Sequence, residues 1–599
     1  MRTLLSIAPV SVPGRRRIIP VAVVLILTAL YIHSWVFVRL LYPGPTKLPT
    51  QITPDAHPIT QLISNATAHF ESLLRERSFT LKDAAEKYRQ RRGRHPPPGF
   101  DAWFKQAMKD DAIVVESFFD RIHHDINPLW ALEPREMRMQ AALQPQVIKI
   151  RNKKVVMVTD DPDRQPWIQH WTALVKQMMP NLPDLDMAIN VMDESRILTP
   201  REMIDKYVKI EQERRELLAP ELAMTKYSSR QDIDNQKPET FDPGWISDDA
   251  NLYWNYFRET CPTDSPSRNI SALESFNVPV EYPSEQMPHA YRGFVQNFTQ
   301  ARDPCLQPHL RGLQGTFVES VSMSTTTTLF PLFAGSKLPT NNELLIPAAM
   351  YLSRRAFYSG GRGSGGKWST KRNALLWRGT ALGGRNKADN WWHFHRHRWV
   401  QMMNGTAVAR VEAGDAASAP TLNLLSAANY SLPRAMGGQI GAWLSNFSDV
   451  SGRARTRPHM GIAASKPLQQ QYRYKYLPDV DGHSFSGRWR AFLKSTSVPL
   501  KATIYAEWHD DRMVPWVHFV PFDASYKDIY AVMEYFLDGR DAQAEVIATE
   551  SSNWANAVYR DEDMKLYVWR LLLEYARVVD DNRQRLAFVD DLRKEKWPS

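Results

Sequence analysis

The stretch KYLPDVDGHSFSGRWRAFLKSTSVPLKATIYAEW, Lys475 to Trp508, holds residue types that bind an anion. An aromatic-rich run ends in a small loop with Gly482 and Ser484, and Arg488 lies four residues beyond that serine, at the start of a predicted helix. Glycine lets backbone approach closely, helix N–H groups and serine hydroxyls donate, and an arginine fork matches the oxygens of a diphosphate. A second candidate is LLWRGTALGGRN, in which Arg378 and Gly379 follow a short apolar strand and Gly383 and Gly384 mark a turn before Arg385. Strand C-terminal ends are where α/β sheets bind ligands. The third is LPDLDMAINVMDESRI, where Asp193 follows a predicted strand and is placed for general-base work. Each has a plainer explanation: a surface arginine, a structural turn, a loop-capping aspartate. Only their combination points to chemistry.

Other motifs could mislead. Asp184–Asp186 and Asp479–Asp481 form D-x-D triplets, and Asp160–Asp163 reads DDPD. Metal-dependent sugar transferases hold a divalent cation with such a triplet, but Asp184–Asp186 begins a strand rather than ending one. His393, His395 and His397 alternate with Phe394 and Arg396 without a carboxylate motif beside them, which favours packing or contact with substrate over metal binding. No G-x-x-x-x-G-K-[ST] occurs, so a P-loop is excluded.

The elements that must position these residues are alternating. KKVVMVT (Lys153 to Thr159) and LDMAINV (Leu185 to Val191) read as strands around a helical DRQPWIQHWTALVKQMMP, which predicts a βαβ unit. NALLWRG is a strand running into a turn, ADNWWHFHRHRWVQMM a helix, and DEDMKLYVWRLLLEYARVV an amphipathic C-terminal helix. The expected divisions are a tail over 1–17, an apolar span over 18–38, a stem over 39–84, and two halves over 85–340 and 341–599.

The chain has 599 residues, 43% apolar and 23% charged, which is globular composition with room for more than one domain. A net charge of +10 suits anionic partners, but no Lys/Arg block forms a nucleic-acid arm. Cys261 and Cys305 are too few for a disulfide scaffold or a zinc ribbon; a bridge and two free thiols both remain open. Arg15, Arg16 and Arg17 precede an uncharged run from Ile18 to Val38, long enough to cross a bilayer at about 20 residues per helical span. The positive-inside rule puts the N-terminus in the cytosol and the body across the membrane, a type II signal anchor. N-x-[ST] triplets begin at Asn65, Asn269, Asn297, Asn404, Asn429 and Asn446, compatible with a lumenal body.

In chain order, YRQRRGRHPPPGFDAWF, FFDRIHHDINPLW, LPDLDMAINVMDESR, FPLFAGSKLP, LLWRGTALGG, HRHRWV, the Lys475–Lys501 stretch and EWHDDRMVPWVHFVPF resemble glycosyltransferase family 90. That group contains capsule-associated xylosyltransferases and protein O-glucosyltransferases, and the likeness is to fungal-type membrane-anchored members over roughly residues 85 to 580. The resemblance implies a GT-B-like α/β architecture, two Rossmann-like halves facing a cleft after an N-terminal transmembrane helix. It implies an inverting transfer of a sugar, xylose or glucose, from a UDP-sugar to a glycan or glycoprotein hydroxyl in the Golgi or ER lumen. It implies Asp193 as base, and Arg378, Gly379, Gly482, Ser484, Ser486, Arg488 and Glu507 as donor-binding residues. No cofactor is obligatory, although Mn or Mg can stimulate such enzymes. The sequence departs from the glucosyltransferases at Asp481, where they carry a basic residue, and lacks their ER-retention ending. A metal-dependent GT-A transferase and a non-catalytic lumenal carbohydrate-binding protein are the alternative readings.

Overall fold

The sheet that carries the site has six strands, β8 (Arg372–Gly379), β9 (Ser448–Arg453), β10 (Ile462–Ala463), β11 (Tyr474–Val480), β12 (Val498–Ala502) and β13 (Val520–Pro521). Their order is β10-β9-β8-β11-β12-β13, and every pairing is parallel. β11 and β12 are buried along their whole length, as strands covered on both faces must be. From β8 the chain builds outward through β9 and β10, then returns to build β11, β12 and β13 on the other side. The strand order therefore reverses between β8 and β11. In an open α/β sheet the crevice beyond the strand ends at such a reversal is the natural ligand site.

The computed structural model describes residues 57–228, 240–247, 252–321, 323–361, 363–422, 438–453, 462–464 and 466–592. The Ile18–Val38 run and Asn429 lie outside the described residues. Among the described residues no helix is long and apolar enough to cross a membrane. The architecture is mixed α/β with parallel sheets.

The smaller sheet holds the expected βαβ unit with one further strand inserted between its two strands. β1 (Val147–Arg151) lies between β2 (Lys154–Val158) and β3 (Leu185–Ala188) and is antiparallel to both. β2 and β3 thus run the same way, joined by the helix Gln165–Lys176, but do not touch. The hairpin from β1 to β2 turns through Asn152 and Lys153, at φ 49° and 58°. Two positive φ values make the tight turn whose twist matches the strands. Beyond β3 the sheet continues by a parallel bridge from Ile189 to Phe333 in β6 (Phe333–Ala334), which pairs in parallel with β7 (Leu344–Leu345). A short antiparallel pair, β4 (Ala290–Tyr291) and β5 (Phe294–Val295), lies in the connecting region.

Helices close both ends. The helix Pro58–Arg75 is docked through Ile59, Leu62 and Phe70, the last edge-on to Trp554 at 4.8 Å. The C-terminal helix Asp561–Val578 crosses back to the first part of the chain. The Trp103 indole donates to Leu566 O at 2.9 Å, and the Tyr575 hydroxyl donates to Asp186 O at 3.0 Å. Cys261 and Cys305, both fully buried, form a disulfide.

Candidate functional site

Val480 ends β11, and the loop Asp481–Arg488 leaves it at the strand reversal, beside Gly379 at the end of β8. The loop is tight: Gly482 N–H donates to Ser484 O at 2.7 Å. Gly482, Ser484, Ser486 and Arg488 are all buried there, and Trp489 starts the following helix, Trp489–Leu493. The Arg488 guanidinium donates to Arg378 O at 2.8 Å and lies over the Trp377 and Phe492 rings, 5.7 and 5.3 Å from their centroids. The anion loop and the Arg378–Gly379 turn, far apart in sequence, thus meet.

The Arg378 side chain points elsewhere. Its guanidinium pairs with Asp449 on β9 and donates to Asp449 O at 2.6 Å. Burial alone would raise the Asp449 carboxyl, but hydrogen bonds from Lys466, Arg378 and Tyr474 hold it down at about 2. Arg378 therefore braces β8 against β9 and offers Arg488 its carbonyl.

The second guanidinium at the loop belongs to Arg396, which sequence reasoning passed over for the histidines beside it. Arg396 sits on the helix His395–Met402 and donates to Asp481 O at 2.5 Å, Thr380 O at 3.1 Å and Val480 O at 3.3 Å. All three acceptors are main-chain carbonyls. Burial and then the charge of Arg488 lower its pKa to about 10. A Cβ on Gly482 would come 3.3 Å from its Nη2, which is the close approach that the glycine permits. The two cations converge on one loop, where the charge of Arg488 lowers the pKa of Arg396 and the carboxylates of Asp479 and Asp481 act the other way. The signal in the sequence was an arginine inside an apolar-aromatic helix, HFHRHRWV.

The histidines pack that helix in place. His395 Nε2 donates to Asp481 O at 2.9 Å, and His393 Nδ1 lies 2.7 Å from Gly312 O. Gly383, at φ 120°, passes so close that a Cβ would come 2.4 Å from His395 Cε1. Only glycine fits both that backbone conformation and that contact.

Asp193 comes from the other sheet. After β3 the Asn190 side chain closes a turn, accepting from Met192 N–H at 3.0 Å and donating to Glu194 O at 2.8 Å. This leaves Asp193 half-buried at the tip. It lies near the anion loop: burial lowers the pKa of the His483 imidazole there, the charge of Asp193 raises it, and Arg396 and Arg164 lower it further. His483 Nδ1 accepts from Gly383 N–H at 3.4 Å. The structure thus gathers Asp193, Arg396 and the loop residues His483 and Arg488 from three separate segments.

Glu507 is placed behind the loop. It is 1% exposed, accepts from the Tyr351 hydroxyl at 2.6 Å and lies 3.3 Å from Lys501. Burial pushes its carboxyl up to about 8 and that of Asp481 up to about 7. Asp479 stands opposite Lys501 in the β11–β12 register and pairs with it at 3.3 Å. Of the other triplet, Asp186 pairs with Arg151 at 2.7 Å and Asp184 accepts from Asn152 N–H at 2.8 Å. Asp481 Oδ2 accepts from Ile504 N–H at 3.0 Å, so all four aspartates of the two triplets have structural partners.

Residues 442–595, the segment with the anion loop, match the family model Glycosyl transferase family 90. Protein O-glucosyltransferase 1 of Rattus norvegicus is 26% identical over 263 residues, 43% of this chain and 59% of that protein. Protein O-glucosyltransferase 2 of Danio rerio is 29% identical over 108 residues, 18% of this chain and 21% of that protein. Protein O-glucosyltransferase 1 of Homo sapiens is 26% identical over 136 residues, 22% and 34% of the two chains. The chain thus spans less than two thirds of the length of each of these relatives.

Proposed function

We propose that the chain, whose residues 442–595 match the family model Glycosyl transferase family 90, is an inverting glycosyltransferase that moves xylose or glucose from a UDP-sugar to a hydroxyl of a glycan or glycoprotein. The observation that carries this reading is the convergence of Arg396 and Arg488 on a glycine-serine loop at the strand reversal, with the charge of Asp193 close enough to act on His483 of that loop. In the reaction Asp193 takes the proton of the acceptor hydroxyl. The acceptor oxygen attacks the anomeric carbon from the face opposite the phosphate, and the bond from that carbon to the diphosphate oxygen breaks. UDP leaves with the electron pair, its charge stabilised by Arg396, Arg488 and the loop N–H groups. Gly482, Ser484 and Ser486 shape the diphosphate seat, the Arg378 carbonyl holds Arg488, Gly379 leaves room for the Trp377 ring under that guanidinium, and Glu507 supports the loop from behind. The arrangement is read as GT-B-like, two α/β halves facing a cleft, and no step is assigned to a metal.

The disulfide supports an oxidising compartment. With the Ile18–Val38 run as anchor, the body is assigned to the lumen of the Golgi or ER. Purified full-length chain offered a panel of UDP-sugars with glycan and glycopeptide acceptors tests the activity. The expected product carries the anomeric configuration opposite to the donor, read by NMR, and forms in the presence of chelator. A product of retained configuration, or activity abolished by chelator and restored by Mn, removes the mechanism.

A further inference from the structure

Asn65 and Asn297 stand on the rim of one cavity of about 570 Å³. It opens between the helix Pro58–Arg75, the helix Phe298–Ala301 and the loop that precedes β13. None of Asp193, Gly482, Ser484, Arg396 and Arg488 lines it. Its walls mix aromatic faces with polar groups. Phe298 and Phe519 meet edge to face at 5.1 Å, and Trp516 is fixed by its indole N–H donating to Val295 O at 2.7 Å. Between them lie Gln296, Gln300 and the buried ion pair Arg302–Asp510. That lining suits a saccharide, whose C–H faces stack on rings while its hydroxyls bond amides and charges. The volume falls within the roughly 300–1,000 Å³ usual for ligand pockets.

The two asparagines begin acceptor triplets for N-glycosylation, Asn65-Ala66-Thr67 and Asn297-Phe298-Thr299, and both are exposed. Asn297 Oδ1 accepts from Gln300 N–H at 3.1 Å, capping its helix and leaving Nδ2 for modification. Asn404 differs: it is half-buried, and its Oδ1 takes two N–H groups, from Thr406 and Ala407. Asn269 and Asn446 are exposed but do not line the cavity.

We propose that Asn65 and Asn297 carry N-linked glycans and that the proximal sugars of the Asn297 glycan occupy this cavity. The inference rests on the lumenal placement given under Proposed function. The host's oligosaccharide transferase forms the bond: Nδ2 attacks the anomeric carbon of a lipid-diphosphate oligosaccharide and loses a proton, and the lipid diphosphate leaves with the electron pair. Asn297 is the occupant's anchor because Phe298 and Thr299, its own triplet, line the cavity with it.

The test uses the full chain made in a eukaryotic secretory host. Amidase release of glycans in heavy-oxygen water, followed by peptide mapping, should mark Asn65 and Asn297 and leave Asn404 unmarked. Endoglycosidase acting on the native protein should trim the Asn297 glycan roughly tenfold more slowly than glycans at other marked sites, because access then requires local opening. Thr299→Ala keeps the capping oxygen of Asn297 but destroys the triplet; it should abolish the Asn297 mark and lower the unfolding temperature. Marks at Asn269 or Asn446 with none at Asn297 overturn the site. Equal trimming rates, or a Thr299→Ala variant as heat-stable as the parent, overturn occupancy of the cavity. Absence of marks at every triplet overturns the lumenal placement, and the inference falls with it.

Discussion

Arg396, from its helix, and Arg488 bring two guanidinium groups to one buried loop, which is the seat proposed for the diphosphate. A charge-assisted hydrogen bond contributes about 1.5–3 kcal/mol, so Arg396→Ala and Arg488→Ala should each weaken UDP binding by roughly tenfold or more. Calorimetry with UDP reads this directly, and an Arg396→Ala protein that binds UDP as the parent does removes Arg396 from the site. Asp193 makes a different kind of contribution. Asp193→Asn keeps size and much of the hydrogen bonding but cannot take the acceptor's proton. Turnover should fall by about 10²–10⁴-fold with UDP affinity nearly unchanged, since that is the usual worth of general-base catalysis. Asp184→Asn should leave turnover near the parent's, because its carboxylate caps the Asn152 N–H. Normal turnover in Asp193→Asn, measured by sugar transfer, would return the base assignment to another residue. The arginine at position 488 was legible because a serine-glycine loop precedes it. Arg396 was not, because its partners are carbonyls supplied by other segments, and a main-chain acceptor leaves no trace in the residue types.

The elements were legible where a buried strand reads as a continuous apolar run. NALLWRG became β8 and the Asp193 strand became β3, whereas β11 had been read only as an aromatic-rich run. The hairpin partner β1 was missed because its turn, Asn152–Lys153, has a lysine where a hairpin signal would show glycine. At this scale the buried acids behind the anion loop set a pH response. Glu507 goes from an ordinary 4.5 to about 8 on folding, and Asp481 from 3.8 to about 7, burial being the first cause for both. A folded pKa that is raised means the native state holds protons the unfolded chain has released. That stability is present in full below the unfolded values and is lost as pH rises through about 7 to 8. Buried histidines such as His509, lowered to about 3, act oppositely but only as pH falls below the ordinary 6.5. Asp449, held near 2, acts lower still. The carboxyl effect is therefore separable above pH of about 6.5. The unfolding temperature should fall between there and about pH 8, and Glu507→Gln, which keeps an acceptor for Tyr351, should flatten the slope. An unchanged slope in Glu507→Gln would assign the response to other groups.

At the scale of the molecule, sequence order and spatial grouping part company. The C-terminal helix Asp561–Val578 lies on elements from the first part of the chain: Tyr88 donates to Glu574 at 2.9 Å, and Arg138 donates to Val579 O at 2.8 Å. An amphipathic pattern shows that a helix docks but not where, so this packing could not be read from the residues. The disulfide, left open by the sequence, settles a second long-range link. It joins residues 44 apart and pins the ends of a connecting segment with little regular structure, only β4, β5 and short helices. Arg302, three residues before Cys305, pairs with Asp510 in the loop that follows β12. The closed segment is thereby tied to the sheet that bears the anion loop. Closing a loop of this length restricts the unfolded chain more than the native one, an effect of about 2–4 kcal/mol. Replacing both cysteines by serine should therefore lower stability by about that amount in urea unfolding. Limited proteolysis should then cut first between residues 262 and 304, before the strands of the large sheet are attacked. UDP binding should survive in the native fraction, since Arg396 and Arg488 are held by carbonyls outside the loop. If the double serine variant unfolds at the parent's urea midpoint and resists protease equally, the bridge contributes nothing that the Arg302–Asp510 pair does not already supply.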